Sequence, residues 1–176
     1  MSNPIHLLIP AAGKGSRFAG VGIKTPKPLI QIFDIPMLIW VINNFPLEAN
    51  DRVSILSQKG HDLPNNLAPF IQKMSSNVSY FEIDFWTDGP AHSLEILIEN
   101  LNEDLPVICA NSDQFIFSGL NEFVTEVRLQ KSHGQILTME ASGNNWSYVG
   151  RDSNGLIDAI EEKIQISSEE IGRAHV

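Results

Sequence analysis

The sequence predicts an α/β fold with a mostly parallel sheet that is covered by helices on both faces. Residues 5–9 and 105–110 are short apolar runs without polar alternation, which is typical of strands buried on both sides. Residues 36–44 instead carry apolar side chains at the spacing of one helix face. Because strands that alternate with helices form parallel sheets, this order indicates the α/β class.

Strands and helices alternate along most of the chain. We predict strands at residues 5–9, 53–56, 78–81, 105–110, 135–140 and 148–151, and helices at residues 36–44, 67–74, 91–101 and 120–130. Pro36 suits the first turn of the first helix, and Asn154-Gly155 predicts a tight hairpin turn. The length of 176 residues favours one domain, which we assign to residues 1–170.

The last six residues, 171–176, form a separate case. Their sequence, Ile-Gly-Arg-Ala-His-Val, is the translation of ATC GGA AGA GCA CAC GTC, which resembles a common sequencing adapter. We therefore expect residues 171–176 to be a non-native tail and the domain to be incomplete at its C-terminus. An ordinary frayed terminus is the alternative.

Composition and charge argue against several classes of protein. The formal net charge of −9 disfavours binding to nucleic acid or to an anionic membrane surface, because both need an excess of Lys and Arg. No apolar run reaches the ~18 residues of a membrane span, and the N-terminus lacks the order of a signal peptide. A cytoplasmic protein is therefore expected. Cys109 is the one cysteine, and we expect it to be buried rather than catalytic.

A glycine-rich segment follows the first predicted strand, and we call residues 11–18 the glycine loop. Its two glycines allow main-chain N–H groups to approach phosphate oxygens, and Lys14 and Arg17 add positive charge. The spacing does not fit a dinucleotide fingerprint, because Phe18 occupies the third glycine position, and it does not fit a P-loop. A structural turn would account equally well for the glycines alone.

Two further features favour an anionic ligand. Lys27 stands between Pro26 and Pro28, which restrict the backbone and present the ammonium group from a stiff segment. Asp113 follows the strand predicted at 105–110, where parallel strands present side chains to a common crevice. A carboxylate there suits Mg²⁺, which prefers oxygen ligands, although a turn residue or a helix N-cap would equally explain an aspartate at this position.

Together these segments resemble the signature of the sugar-phosphate nucleotidyltransferase family. The resemblance extends over nearly the whole chain, in residues 9–18, 26–29, 34–38, 87–91, 111–113 and 161–163. It implies a Rossmann-like three-layer α/β/α sandwich with a mostly parallel sheet. It also implies an enzyme that joins a nucleoside triphosphate to a sugar phosphate, or a similar phosphorylated metabolite, with release of pyrophosphate and with Mg²⁺ as cofactor.

The same resemblance implies roles for individual residues. Arg17, Lys27 and Lys163 would be the catalytic cations that hold the phosphates, balance the reacting phosphoryl group and neutralise the sugar phosphate. Asp113 would be the metal ligand. The residues implied in nucleotide binding are Ala11, Ala12, Gly13, Lys14, Gly15, Ser16, Asp88, Gly89, Ala91 and Asn111.

Two other functions remain open at this point. A glycosyltransferase of GT-A-like fold should show an Asp-x-Asp metal motif, from which residues 111–113 depart. A non-catalytic nucleotide-binding module is the other alternative, because the family's second metal-binding acid cannot be placed in this sequence. Residues 161–163 would also suit the charged surface of a helix. The sequence gives neither the base, nor the acceptor, nor whether the protein forms a homo-oligomer.

Overall fold

A four-stranded parallel sheet organises the computed structural model. The structure describes residues 2–72, 74, 77–101, 104–130, 132–140, 143 and 146–166. The chain forms two compact units, one that ends at Ser132 and one that begins at His133. Residues 171–176, where we expect a non-native tail, lie outside the described residues, and the assignment of one domain to residues 1–170 stays a prediction.

The helices and strands follow one another in the predicted alternation. The strands are β1 (His6–Pro10), β2 (Gln31–Ile32), β3 (Ile35–Pro36), β4 (Arg52–Gln58), β5 (Asn77–Ile83), β6 (Val107–Cys109), β7 (Ser147–Arg151) and β8 (Ile157–Glu162). The helices are α1 (Ser16–Gly20), α2 (Met37–Asn44), α3 (Leu63–Ile71), α4 (Pro90–Glu99) and α5 (Leu120–Arg128), and a 3-10 turn spans Lys27–Leu29. Among the described residues, no helix is both long and apolar enough to cross a membrane.

The main sheet has the strand order β5-β4-β1-β6, and all its pairings are parallel. In the register, His6 of β1 is the partner of both Arg52 in β4 and Val107 in β6. Strands β4, β1 and β6 therefore begin at the same level. This confirms the predicted parallel sheet of the α/β class.

The sheet is covered on both faces, as its apolar strands require. One face packs against α4 in a core cluster that includes Leu8, Leu56, Leu94 and Leu97. Leu7 and Ile9 alternate with Leu8 along β1, so their side chains point to the opposite face, and they too are fully buried. Burial on both sides explains why β1 has no polar alternation.

Cys109 ends β6 and is half-buried, with its side chain packed against the same core cluster. Burial raises the pKa of its thiol. Because the thiolate is the reactive form, this position agrees with the expected role as a small apolar residue.

The strand predicted at residues 135–140 is wrong. These residues are described, and they belong to no strand of the described chain. A strand exists where its backbone groups pair with a neighbour, and a local apolar pattern does not supply that neighbour. The helix predicted at 67–74 is present but starts earlier, at Leu63, because Pro64 is suited to the first turn of a helix.

The second unit contains a two-stranded antiparallel hairpin of β7 and β8. Asp152 accepts hydrogen bonds from the backbone N–H groups of Asn154 and Leu156, and Gly155 has a φ of 81°. The predicted turn at Asn154-Gly155 is thereby confirmed. Because β8 extends to Glu162, the alternative of a charged helix surface at residues 161–163 is wrong.

A buried ion pair lies at the amino-terminal edge of the main sheet. Arg128 of α5 donates from Nη1 to Oδ1 of Asp51 at 2.7 Å and from Nη2 to Oδ2 at 2.5 Å. Nη1 of Arg128 also donates to the carbonyl oxygen of Asn3 at 2.9 Å, and the Asn3 amide returns a hydrogen bond to the carbonyl of Arg128 at 3.0 Å. Asp51 is fully buried and Arg128 nearly so. The pair joins the start of the chain, the start of β4 and the end of α5.

The remaining acceptor capacity of Asp51 is used by the backbone. The N–H of Ile5 donates to Oδ1 at 2.9 Å and the N–H of Glu48 donates to Oδ2 at 2.6 Å. Burial by itself would raise the pKa of the Asp51 carboxyl, but the hydrogen bonds from Arg128, Glu48 and Ile5 outweigh it and leave the pKa below its usual value. The carboxylate is therefore ionised in the folded protein.

We expect Asp51→Asn to destabilise the fold by about 3–5 kcal/mol, because it removes the buried counter-charge of the Arg128 guanidinium and leaves only the exposed Glu48 carboxylate, 3.9 Å from Nε. Urea unfolding followed by far-UV circular dichroism measures the change. Asp104→Asn, which alters an exposed carboxylate in the same way, is the matched control and should change stability by less than about 0.5 kcal/mol. Equal stability of the two variants would contradict a structural role for the pair.

The lowered pKa of Asp51 also predicts how stability depends on pH. The pKa is lower in the folded than in the unfolded chain, so the stabilisation is complete above the unfolded value of 3.8 and is lost as the pH falls through the folded value. The stability difference between the wild type and Asp51→Asn should stay constant between about pH 5 and pH 7 and shrink below about pH 4. If the stability difference between the two proteins grew as the pH fell, the pKa of Asp51 would be raised in the folded protein and not lowered.

Candidate functional site

The predicted site residues of the first unit lie at the carboxyl-terminal edge of the main sheet. The N–H of Ala11 donates to the carbonyl of Leu56 at 2.7 Å, and the N–H of Ala110 donates to the carbonyl of Leu8 at 3.0 Å. These bonds carry the parallel pairing one step past β1 and β6. The loops that follow the two strands, one with Gly13 and one with Asp113, therefore leave the sheet side by side.

The glycine loop runs from a buried start to an exposed bend. Ala11 and Ala12 are buried at the end of β1, whereas Gly13 and Lys14 are exposed. A Cβ atom added at Gly13 would meet no heavy atom within 4 Å, so the backbone lies open to a ligand.

The last three residues of the glycine loop form the start of α1, which begins at Ser16. Gly15 has a φ of 59°, a left-handed conformation that glycine adopts without steric cost, and it precedes the exposed Ser16 at the start of the helix. The backbone of Arg17 belongs to α1, and its side chain lies outside the described part of the structure.

The structure brings Lys27 and Asp113 together. Nζ of Lys27 lies 2.5 Å from Oδ2 of Asp113, and both side chains are partly exposed, at 26% and 39% respectively. A Cβ atom added at Gly15 would lie 3.7 Å from the Cβ of Lys27, so the stem of this lysine passes along the glycine loop. The glycine loop, the 3-10 turn that contains Lys27 and the turn that contains Asp113 thus lie next to one another.

The segment after Asp113 is held by α2. The side-chain amide of Asn44 donates to the carbonyl of Ile116 at 2.9 Å, and the N–H of Ile116 donates to Oδ1 of Asn44 at 2.7 Å. Asp113 itself lies in a turn, and α5 begins only at Leu120, with Gly119 as its N-cap. The interpretation of Asp113 as a helix N-cap is therefore wrong. The half-buried Asn111 lies just before this turn.

A second loop borders the site, and we call residues 84–89 the Trp86 loop. It connects β5 to α4, and the indole of Trp86 is 51% exposed. Nζ of Lys14 lies 5.5 Å from the centre of a Trp86 ring, a cation–π arrangement that joins the two loops at the surface.

Asp88, Gly89 and Ala91 lie at the junction of the Trp86 loop and α4. The side chain of Asp88 is almost fully exposed, and its backbone N–H donates to Nδ1 of His92 at 3.3 Å. Gly89 is the N-cap of α4, and its carbonyl accepts a hydrogen bond from Oγ of Ser93 at 3.2 Å. Ala91 is exposed in the first turn. These residues are accessible to a ligand, and their role in binding a base stays a prediction.

Gln58 was not among the predicted site residues. It ends β4 and is only 8% exposed. Its Nε2 donates to the carbonyl of Ala12 at 3.0 Å and to the carbonyl of Phe85 at 2.9 Å. One buried amide group thus connects the glycine loop to the Trp86 loop. The sequence offered no signal for it, because a glutamine at the end of a strand has no distinctive spacing.

Lys163 belongs to the second unit and follows β8. Its side chain is exposed, and Nζ lies 2.9 Å from Oε1 of Glu162. Its N–H donates to the carbonyl of Trp146 at 2.8 Å, and its φ is 61°. Its role toward a substrate phosphate rests on the family resemblance.

The residues present fit a loosely held divalent cation better than a closed metal centre. Among the described residues, no group of three or more His, Cys, Asp and Glu side chains is placed to hold a metal ion. Asp113 offers a partly exposed carboxylate in the turn that follows β6. Mg²⁺ usually takes one or two carboxylates and completes its shell with water and phosphate oxygens, so a single carboxylate is compatible with it.

Comparison with known proteins identifies the family and the fold. The family model described as nucleotidyl transferase matches residues 7–169. Comparison with curated protein sequences gives no match.

Several solved structures share the fold at low identity. A Bacillus anthracis protein described as a glucose-1-phosphate thymidylyltransferase is 19% identical, with a TM-score of 0.75 over 97% of this chain and 69% of that chain. The nucleoside-diphosphate-sugar pyrophosphorylase from Vibrio cholerae RC9 is 20% identical, with a TM-score of 0.71 over 95% of this chain and 70% of that chain. A UDP-glucose pyrophosphorylase solved with UDP-glucose is 18% identical, with a TM-score of 0.68 over 97% of this chain and 74% of that chain. These matches confirm the Rossmann-like α/β fold.

We expect Gly15→Ala to destabilise the protein by about 1–2 kcal/mol, because an L-residue is strained in the left-handed conformation. Gly13→Ala is the matched control. A Cβ atom has space at Gly13, and the φ of Gly13 is not in the left-handed range. Urea unfolding of both variants measures the difference. Equal losses would contradict the assignment of strain to Gly15.

Proposed function

The chain belongs to the nucleotidyl transferase family, and we propose that it joins a nucleoside triphosphate to a sugar phosphate with release of pyrophosphate. The observation that carries the proposal is the contact between Lys27 and Asp113 beside the glycine loop. It places a cation and a carboxylate next to an exposed, glycine-lined backbone. A triphosphate needs cations and main-chain donors, and its metal ion needs a carboxylate.

In this reaction an oxygen of the sugar phosphate attacks the α-phosphorus of the triphosphate. The bond from that phosphorus to the oxygen that bridges to the β-phosphate breaks, and pyrophosphate leaves with the bonding electrons. No covalent intermediate with the protein is needed. The protein aligns the two substrates and stabilises negative charge as it develops. Lys27 and the backbone of the glycine loop supply that stabilisation, together with Arg17 and Lys163 in the roles that the family resemblance implies.

In the free protein, the ammonium group of Lys27 and the carboxylate of Asp113 pair with each other, so each charge has a partner of opposite sign. With a magnesium–triphosphate complex as ligand, Lys27 would pair with phosphate oxygens and Asp113 would hold the metal ion, so neither charge would be left without a partner.

Asp113 is the residue that would hold Mg²⁺. When bound, the ion neutralises phosphate charge and favours departure of pyrophosphate. The partial exposure of the Asp113 carboxylate leaves space for the waters that Mg²⁺ retains.

The acceptor and the product can be proposed by chemical class. The solved structures of similar fold include proteins described as a UDP-glucose pyrophosphorylase and as an inositol-1-phosphate CTP transferase, so their names indicate phosphorylated acceptors but no common base. We propose a sugar phosphate as acceptor and a nucleotide sugar as product. Such a product would serve polysaccharide synthesis in the cytoplasm.

We expect Lys27→Ala to lower the rate of pyrophosphate release by about 100-fold or more, because it removes a cation aimed at the reacting phosphates. The assay couples pyrophosphate to a colour reaction, with Mg²⁺ and a panel of triphosphates and sugar phosphates. Lys24→Ala alters an exposed lysine three positions away and is the control, with activity close to that of the wild type.

Two outcomes would contradict the proposal. Unchanged pyrophosphate release by Lys27→Ala would remove the residue on which it rests. Release of a nucleoside diphosphate from nucleotide sugars, without pyrophosphate from any triphosphate, would identify a glycosyltransferase instead. Circular dichroism of each variant establishes that the fold is retained.

A further inference from the structure

The glycine loop and the Trp86 loop are connected at two depths. At the surface, the ammonium group of Lys14 lies over the Trp86 ring. Beneath it, the buried amide of Gln58 donates to one carbonyl in each loop, that of Ala12 and that of Phe85. The surface contact is exposed and adjustable, whereas the buried one has fixed geometry.

This buried connection needs a side chain with two donor hydrogens, and the amide of Gln58 supplies them without a charge. Both partners are carbonyl oxygens, so they accept hydrogen bonds and cannot donate them. The NH₂ of glutamine carries two hydrogens, and each one serves a different loop. A carboxylate at the same place would offer no hydrogen and would direct negative charge at both carbonyls. A thioether or alkyl group would fill the space but leave both carbonyls without the donor.

The two carbonyls are next to the residues that would meet a nucleotide. The carbonyl of Ala12 precedes the exposed backbone of Gly13, and the carbonyl of Phe85 precedes Trp86. Moving either loop would therefore change the distance between the phosphate-binding backbone and the loop that leads to Gly89. A ligand that contacts both loops depends on that distance. A ligand that contacts only the glycine loop does not.

We propose that Gln58 is a positioning residue that sets the separation of the glycine loop and the Trp86 loop, and thereby the affinity for ligands that bridge the two loops. The inference rests on the proposed function, because it takes a nucleoside triphosphate as the bridging ligand. Gln58 acts through Ala12 and Phe85 and is not itself a catalytic residue. Loss of Gln58 should weaken the binding of ligands that contact both loops and leave the binding of ligands that contact only the glycine loop unchanged.

The test compares two ligands on the full chain. Isothermal titration calorimetry with Mg²⁺ measures binding of each common nucleoside triphosphate and of inorganic tripolyphosphate, which has no nucleoside. For Gln58→Glu and Gln58→Met, the affinity for the tightest-binding nucleoside triphosphate should fall about 10-fold or more, because two hydrogen bonds are lost. The affinity for tripolyphosphate should change by less than about threefold. Gln72→Glu makes the same chemical change at an exposed position and should leave both affinities unchanged.

Each other outcome contradicts the inference. Equal losses for both ligands would show that Gln58 supports the whole site, and no loss would show that the loops keep their separation without it. If both variants lose cooperative thermal unfolding, Gln58 is needed for the fold and not for positioning. If the wild type binds tripolyphosphate and nucleoside triphosphates equally well, no ligand bridges the loops. If it binds neither, the proposed function fails as well.

Discussion

β1 lies between β4 and β6, and its hydrogen bonds to both neighbours set the level of the main sheet. Because His6 is the register partner of Arg52 and of Val107, the three strands start together. Parallel strands also point the same way, so the loops that follow them emerge along one edge. The candidate site residues of the first unit lie along that edge. The opposite edge serves stability, since it contains the closed network of Asp51 and Arg128.

The fold was largely predictable because the parallel strands are buried on both faces. In β1, Leu7, Leu8 and Ile9 are consecutive and fully buried, and this apolar run without polar alternation is visible in the sequence. The strand prediction failed where an apolar sequence pattern has no neighbouring strand to pair with. Residues 135–140 have a strand-like composition, but a strand is defined by its neighbour, and the sequence does not name one. The hairpin of β7 and β8 was easier, because Asn154-Gly155 specifies its turn locally.

The sequence allowed us to predict which residues belong to the candidate site, but it did not show which of them contact one another. Lys27 was selected for its flanking prolines and Asp113 for its place after a strand, and each reason is local. Their 2.5 Å contact depends on the tertiary fold. Gln58 shows the same limit more strongly, because its importance lies in two carbonyls that come from different loops. A side chain that donates hydrogen bonds to backbone carbonyls has no sequence motif, because every residue has a backbone carbonyl.

The pairing of Asp51 with Arg128 has a consequence for the chain as it leaves the ribosome. The two residues are 77 positions apart, so Asp51 is synthesised well before Arg128. During that interval, docking β4 against β1 would bury a carboxylate that has no guanidinium to neutralise it. The amino-terminal edge of the sheet is therefore complete only when α5, which lies much later in the chain, supplies the guanidinium group of Arg128.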